Sequence, residues 1–271
     1  RSFPELLDIG IMGHCVNSRL CQSAGIDCYQ KGYLKDNPHM KLSEFELIAR
    51  QAAGKTFQIA LGGAGDPNKH PEFQEILNIC RYYRIVPNLT TSGHEITGYE
   101  IQLIKKYCGA VAVSWYSRLI NGTEQNLETL EAIKKLVDFG CNTNIHYVIS
   151  MDSIDEAIYR LENNVFPKGI NAVIFILYKP VGCGRKDKVI ADSKKLEKFL
   201  NLAINEYPFR IGFDTCFTSA LLKCCMKKIP VNCMDACEAG TFSMYIDSQL
   251  NAYPCSFGID DKDCSLSLKD Y

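Results

Sequence analysis

Short apolar runs separated by longer amphipathic stretches recur along the chain with the spacing of repeated strand–helix units. The segment from Pro4 onward, with Leu6-Leu7, Ile9 and Ile11-Met12, reads as a first strand leading into Cys15. Thr56–Leu61, Val86–Thr91, Ala110–Trp115, Asn144–Ile149 and Ala172–Tyr178 are short, rich in β-branched residues and close to continuously apolar. Runs of this kind predict strands covered on both faces. Between them, 42–53, 71–82, 97–107, 124–139, 154–163 and 193–207 carry apolar residues at three- and four-residue spacing, which predicts helices with one apolar face. Ser43 with Glu46 predicts a capping box, Pro71 a helix start and Gly140 a helix stop. The predicted fold is α/β, a partial (β/α)6 TIM-type barrel over 1–207. A small cysteine-rich module follows over 208–271, where the periodicity breaks into short segments.

Composition narrows the function. A formal net charge of −1 with dispersed Lys and Arg leaves no electrostatic footprint for nucleic acid or an anionic membrane, and neither is expected as a partner. No apolar run reaches the roughly 18 residues of a membrane span. The chain starts without Met and without a charged-then-apolar signal pattern, so a trimmed cytoplasmic protein is expected. Of its 14 cysteines, Cys15, Cys21 and Cys28 precede residue 30, seven lie between Cys216 and Cys264, and four are scattered between. Disulfide frameworks are rarely so polarised, and the two groups read as two metal sites. Three thiolates on one loop can hold an iron–sulfur cluster while leaving one iron open to a substrate or cofactor. Zinc is the alternative for either group, and free thiols for the first.

In a parallel barrel, chemistry sits at the carboxyl ends of the strands. The informative residues fall there: the cysteine loop, the glycine-rich Leu61–Pro67 turn, Thr90-Thr91-Ser92-Gly93, Ser114, His146 and Lys179-Pro180-Val181-Gly182. His146 faces the core or a ligand according to strand register, and Trp115 and Tyr116 either line the cavity or pack in the core. Cys80, Cys108 and Cys141 read as small core hydrophobes. Cys183, in a Gly-Cys-Gly turn at the rim, is a candidate catalytic or substrate-linking thiol. His14, His39 and His94 are loop residues and candidates for touching ligand.

Through the cysteine loop, the glycine turn, Thr-Thr-Ser-Gly and Lys-Pro-Val-Gly, the chain resembles the radical S-adenosylmethionine (radical SAM) enzymes over nearly its whole length. The resemblance implies that Cys15, Cys21 and Cys28 bind a [4Fe-4S] cluster whose fourth iron chelates S-adenosylmethionine. It further implies that Gly62 and Gly63 contact the methionine and that Tyr29, Asp66, Ser92, Ser114 and His146 are further cofactor contacts. Two features depart from the family. Five and six residues separate the cysteines here, where the family has three and two, and Asp27 stands where an aromatic usually precedes the last cysteine. The turn after the second strand is longer than the usual Gly-Gly-Glu-Pro, with Asp66 in the place of the acid.

The segment from Cys237-Glu238-Ala239-Gly240 to Tyr253-Pro254-Cys255 resembles the SPASM extension or its shorter twitch relative. That implies one auxiliary [4Fe-4S] cluster on Cys216, Cys237 and Cys255, with Cys233 or Cys264 as fourth ligand and vicinal Cys224 and Cys225 disfavoured. The usual hairpin glycine is replaced by Leu250-Asn251, where Asn tolerates a left-handed turn. The function implied is modification of a ribosomally made peptide by a thioether or other crosslink with net oxidation. A peptide or small protein is then the substrate, and flavodoxin or ferredoxin the electron donor. A formylglycine-type maturase or a dehydrogenase is the alternative within the class; outside it, the alternative is a zinc-stabilised interaction protein.

Overall fold

Six strand–helix units follow one another in the computed structural model, which describes residues 3–17, 21, 25–116, 118–120, 123–125, 127–225 and 227–269. The strands are β1 (Leu6–Met12), β2 (Gln58–Gly63), β3 (Val86–Thr91), β4 (Val111–Ser114), β7 (Thr143–Ile149) and β8 (Ala172–Leu177). A small hairpin, β5 (Arg118–Ile120) with β6 (Thr123–Gln125), interrupts the fourth unit. The helices are Leu42–Ala52, Phe73–Tyr82, Gly98–Tyr107, Leu127–Asp138, Ile154–Asn163 and Ser193–Ala203. β9 (Arg210–Phe213) then pairs parallel to β8, and β10 (Ser243–Ile246) pairs parallel to β1 at the opposite end. β11 (Asn251–Tyr253) and β12 (Leu266–Ser267) extend that end antiparallel, giving the order β12-β11-β10-β1-β2-β3-β4-β7-β8-β9.

From β1 to β9 every step moves one place in the same direction, and right-handed crossovers then deliver every helix to the same face. Leu7, Ile9, Ile59, Leu61, Val111, Val113, Ile145, Val173 and Phe175 lie on that face, each at most 1% exposed, in one core with helix residues such as Phe45, Ile76, Ile133 and Phe199. Truncating a buried aromatic of this kind to Ala costs about 3–5 kcal/mol. The expectation of strands covered on both faces is therefore corrected. Burial alternates along β3 and β7, and the second face carries small and polar groups. Register sets these in rows, Asp8–Ala60–Asn88, Thr90–Ala112–Asn144 and Ser114–His146–Ile174–Gly212. The runs looked continuously apolar because Ala, Thr and Ile also occupy this inner face.

Local signals resolve unevenly. Thr97 and Glu100 form a reciprocal capping box, with bonds of 2.6 and 3.2 Å. The box expected at Ser43–Glu46 is displaced: the first helix starts at Leu42, and Glu44 accepts the Lys41 N–H at 2.9 Å. The helix expected from Glu124 starts at Leu127, because Thr123–Gln125 is spent on the hairpin; Asn126 lies outside the described residues. Arg160, 1% exposed, binds Glu124 of that hairpin at 2.6 Å and Glu156 at 2.7 Å while stacking 4.6 Å over Trp115. At the turn between β10 and β11 the left-handed residue is Leu250 (φ 63), not Asn251. Asp247 holds it there by accepting the Gln249 and Asn251 N–H groups, each at 2.9 Å.

Beside β1, Tyr245 of β10 lies across the inner face, where a Cβ on Gly10 would stand 2.3 Å from its hydroxyl. Its register partner Asp8 bonds to Ser256, and burial pushes the carboxyl up to about 7. The folded chain thus keeps a proton that the unfolded chain, with its carboxyl near the ordinary 3.8, releases. Stability from this group is present at low pH and lost as pH rises toward 7. Asp8→Asn, which cannot ionise, is expected to raise the thermal midpoint by several degrees at pH 8 and to leave it near wild type at pH 4, as read by calorimetry. Equal shifts at both values would show that Asp8 does not titrate in this window.

Candidate functional site

The cysteine loop leaves β1 and is interleaved with the turn that follows β2. A Cβ on Gly32 would sit 2.0 Å from the Ala64 carbonyl and 3.0 Å from the Cys15 Cβ; one on Gly65 would sit 2.8 Å from the His14 carbonyl. The bare backbones let the two loops close on each other. Within the loop, Cys15 N–H donates to the Gly32 carbonyl at 3.2 Å and Gly32 N–H to the Cys28 sulfur at 3.4 Å. Burial pushes the Cys21 thiol up to about 12, with Cys15, Cys28 and Asp66 adding to the effect, and burial raises Cys15 in the same way. The three thiols share one neighbourhood at the carboxyl end of the sheet.

Among the described residues no three His, Cys, Asp or Glu side chains converge tightly enough for a single metal ion. The donor set nevertheless suits an iron–sulfur cluster, which is wider than one ion and is held by thiolates. Three thiols from one loop are one ligand short of a closed structural zinc site. The group fits a cluster with one open position.

Asp66, the acid of the turn, is held among the rim loops. Its carboxylate accepts the Ser92 N–H at 2.7 Å, the Ser92 hydroxyl at 2.5 Å and the Asn17 amide at 3.0 Å. It braces three rim loops, and Ser92 is committed to it. Gly62 and Gly63 end β2, with Gly63 in the left-handed half of the map (φ 116) and packed against the Met12 backbone. Ser114 and His146 are register neighbours on the inner face, which settles the orientation of His146. Thr90 lies 3.5 Å from its Nδ1, and burial pushes its pKa down to about 4, so the ring is neutral near pH 7. Tyr116 bonds to Ser114 and lies near Cys21, whereas Trp115 stacks on Tyr147 and Arg160 in the core.

Tyr29 packs against Phe257 at 4.7 Å, and the backbone of Gly182 closes on that of Tyr29. Cys183 N–H donates to the Cys28 carbonyl at 3.1 Å, and its thiol bonds to Tyr33, so it stands beside the cysteine loop. Of the other candidates, His39 stacks on His14 at 4.3 Å and His94 pairs with Glu128 at 2.6 Å. Cys80 and Cys141 are buried core thiols, and Cys108 is half-buried.

In the C-terminal group, Cys216 and Cys237 lie within electrostatic reach of each other, and Lys179 bonds to Cys216. Cys255 accepts the Phe257 N–H at 3.5 Å. Cys264 bonds to Asp261, and Cys233 is exposed beside Asn232. Cys225 is buried in the core on the helix Thr218–Cys225 with Cys224. Sequence reasoning missed Asp8, Tyr245 and Lys188; only Asp27, standing in an aromatic's place, signalled one of these contacts, an ion pair with Lys188.

No protein-family model and no curated protein matches the sequence. Solved structures do. SuiB of Streptococcus suis bound to S-adenosylmethionine superposes with a TM-score of 0.72 at 17% identity, covering 100% of this chain and 64% of that one. SuiB bound to its precursor peptide SuiA gives 0.70 at 17%, over 98% and 62%. anSMEcpe with bound AdoMet and the Kp18Cys peptide gives 0.69 at 17%, over 98% and 77%. The chain shares the fold of these proteins. It spans less than two thirds of the length of SuiB.

In this fold the cysteine loop depends on its contact with the β2 turn. Gly32→Ala is expected to force the Ala64 carbonyl away and to lower iron bound per chain after anaerobic reconstitution toward half the wild-type value. Gly98→Ala, with nothing within 4 Å of the added methyl, is expected to match wild type. Iron content unchanged in Gly32→Ala would show that the loop contact is dispensable.

Proposed function

We propose that the chain is a radical SAM enzyme that modifies a peptide or small protein. The observation that carries this reading is the three-thiol loop closed against Ala64-Gly65, directly after the Gly62-Gly63 strand end, at the carboxyl end of a parallel sheet with a small, polar inner face. When bound, the [4Fe-4S] cluster would supply the electron that cleaves S-adenosylmethionine to a 5'-deoxyadenosyl radical, which abstracts hydrogen from the substrate.

The chain's own residues have distinct parts. Cys15, Cys21 and Cys28 hold the cluster, and Gly62 and Gly63 let the methionine end approach backbone. Ser114 and neutral His146 offer hydrogen-bond groups from the inner face, His146 with one donor and one acceptor nitrogen. Tyr29 is the aromatic neighbour of the third cysteine, and Asp66 and Ser92 are further cofactor contacts at the rim, where they also brace the loops. Cys216, Cys237 and Cys255, with Cys233 or Cys264, hold one auxiliary [4Fe-4S] cluster as an electron sink for net oxidation. Cys183 at the rim is a candidate for covalent work on substrate. A peptide substrate is supported by the peptides bound to SuiB and anSMEcpe, and the reaction is a thioether or other crosslink with net oxidation. A flavodoxin- or ferredoxin-type protein supplies the electron.

Iron, sulfide and zinc are to be measured after anaerobic reconstitution. About eight irons are expected per chain, falling to about four when Cys15, Cys21 and Cys28 are replaced together. Cys28→Ala is expected to abolish 5'-deoxyadenosine formation and Cys255→Ala to leave it measurable. Zinc at about one per chain with little iron would overturn the reading in favour of a structural zinc protein.

A further inference from the structure

The loop that follows β8 grips the cysteine loop over a window of three residues. Lys188, 10% exposed, pairs with Asp27 at 2.7 Å and with Asp152 at 3.3 Å. The Tyr178 hydroxyl donates to the same Asp27 oxygen at 2.9 Å and accepts the Arg185 N–H at 2.7 Å. Next along the chain, Cys28 receives the Cys183 N–H at 3.1 Å, and a Cβ on Gly182 would sit 2.2 Å from the Tyr29 carbonyl. Lys188 is itself fixed to the end of β7, since its carbonyl accepts the Met151 N–H at 2.9 Å.

We infer that the Asp27–Lys188 ion pair, backed by Tyr178, is a strut that sets the position of the third cysteine, making Asp27, Lys188 and Tyr178 positioning residues for S-adenosylmethionine binding. The need for it follows from the loop's length. Five and six residues between cysteines leave the loop more conformations than a compact one, and ordering it costs more entropy unless outside contacts hold it. The contacts sit at the last cysteine rather than along the spacers, so they fix a ligand position. A largely desolvated ion pair with a shared hydroxyl is directional in a way that an apolar contact at residue 27 is not. The inference rests on the cofactor reading above.

Two readouts separate the strut from that reading. Deuterium uptake in segment 25–31 of the metal-free chain tests the strut without any cluster. The dissociation constant for S-adenosylmethionine, by equilibrium dialysis on reconstituted protein, tests its consequence. Asp27→Asn and Lys188→Met are each expected to speed exchange in that segment and to weaken binding about tenfold, the lower end of what outer-shell partners of metal ligands cost. The double variant is expected to be no worse than either single change, Lys188→Arg to bind like wild type, and Tyr178→Phe to fall between. Unchanged exchange and binding in the single variants, or additive losses in the double one, would overturn the strut. Wild type that takes up iron but binds no S-adenosylmethionine overturns the proposed function and the binding role with it, while the exchange data still decide whether Lys188 orders the loop.

Discussion

Every crossover between β1 and β9 turns the same way while the strand order advances in one direction, and this decides where chemistry can sit. All six helices must then share one face, and the opposite face cannot be a second helix-packed core. It is left for small and polar residues, so Ser114, Thr90 and His146 gather there by register alone. The carboxyl ends of the strands all open on one rim, which brings the cysteine loop of β1, the glycine turn of β2 and the Ser92 turn of β3 within bonding distance. Asp66 takes advantage of that convergence. Its two carboxylate oxygens reach two neighbouring loops at once.

Much of this was legible because it rests on local chemistry. Strand and helix positions follow from periodicity to within a few residues, and the rim motifs follow from strand ends. What stayed hidden depends on contacts between distant segments. Strand covering was misread because an inner-face Ala or Ile looks the same in a sequence as a core one; register, not composition, separates them. The β5–β6 hairpin was hidden by amphipathic spacing that continues smoothly through Glu124, and only the buried Arg160 that captures Glu124 explains why the helix begins late. The turn motif marks Asp66 as an acid at the rim without showing that it braces neighbouring loops. Its donors, Ser92 and Asn17, lie 26 and 49 residues away, beyond the reach of any local pattern.

The same distinction separates the two cysteine groups. The first is carried on one loop, so its grouping is visible in the chain. Members of the second are spread over 49 residues from Cys216 to Cys264 and over several short elements, and the fold must bring them together. It does so in part: Cys216 lies within electrostatic reach of Cys237, Cys255 accepts a backbone N–H from Phe257, and Cys264 is occupied with Asp261.

Topology gives that second group a mechanical setting. After β9 the chain must travel from one edge of the parallel sheet to the other, because β10 docks beside β1. Cys216, Cys233 and Cys237 all lie on that crossing, and Cys255 and Cys264 follow on the far side. The crossing is poor in regular structure, with one eight-residue helix between Phe217 and Val231, and so has little backbone pairing of its own. Segment 255–260 is meanwhile tied to the cysteine loop by the Lys31–Asp260 ion pair at 2.8 Å and the Tyr29–Phe257 contact. A metal held by cysteines from both sides of the crossing would therefore bind the two edges of the open sheet to each other, and through Tyr29 it would bear on the loop that carries the first cysteine group.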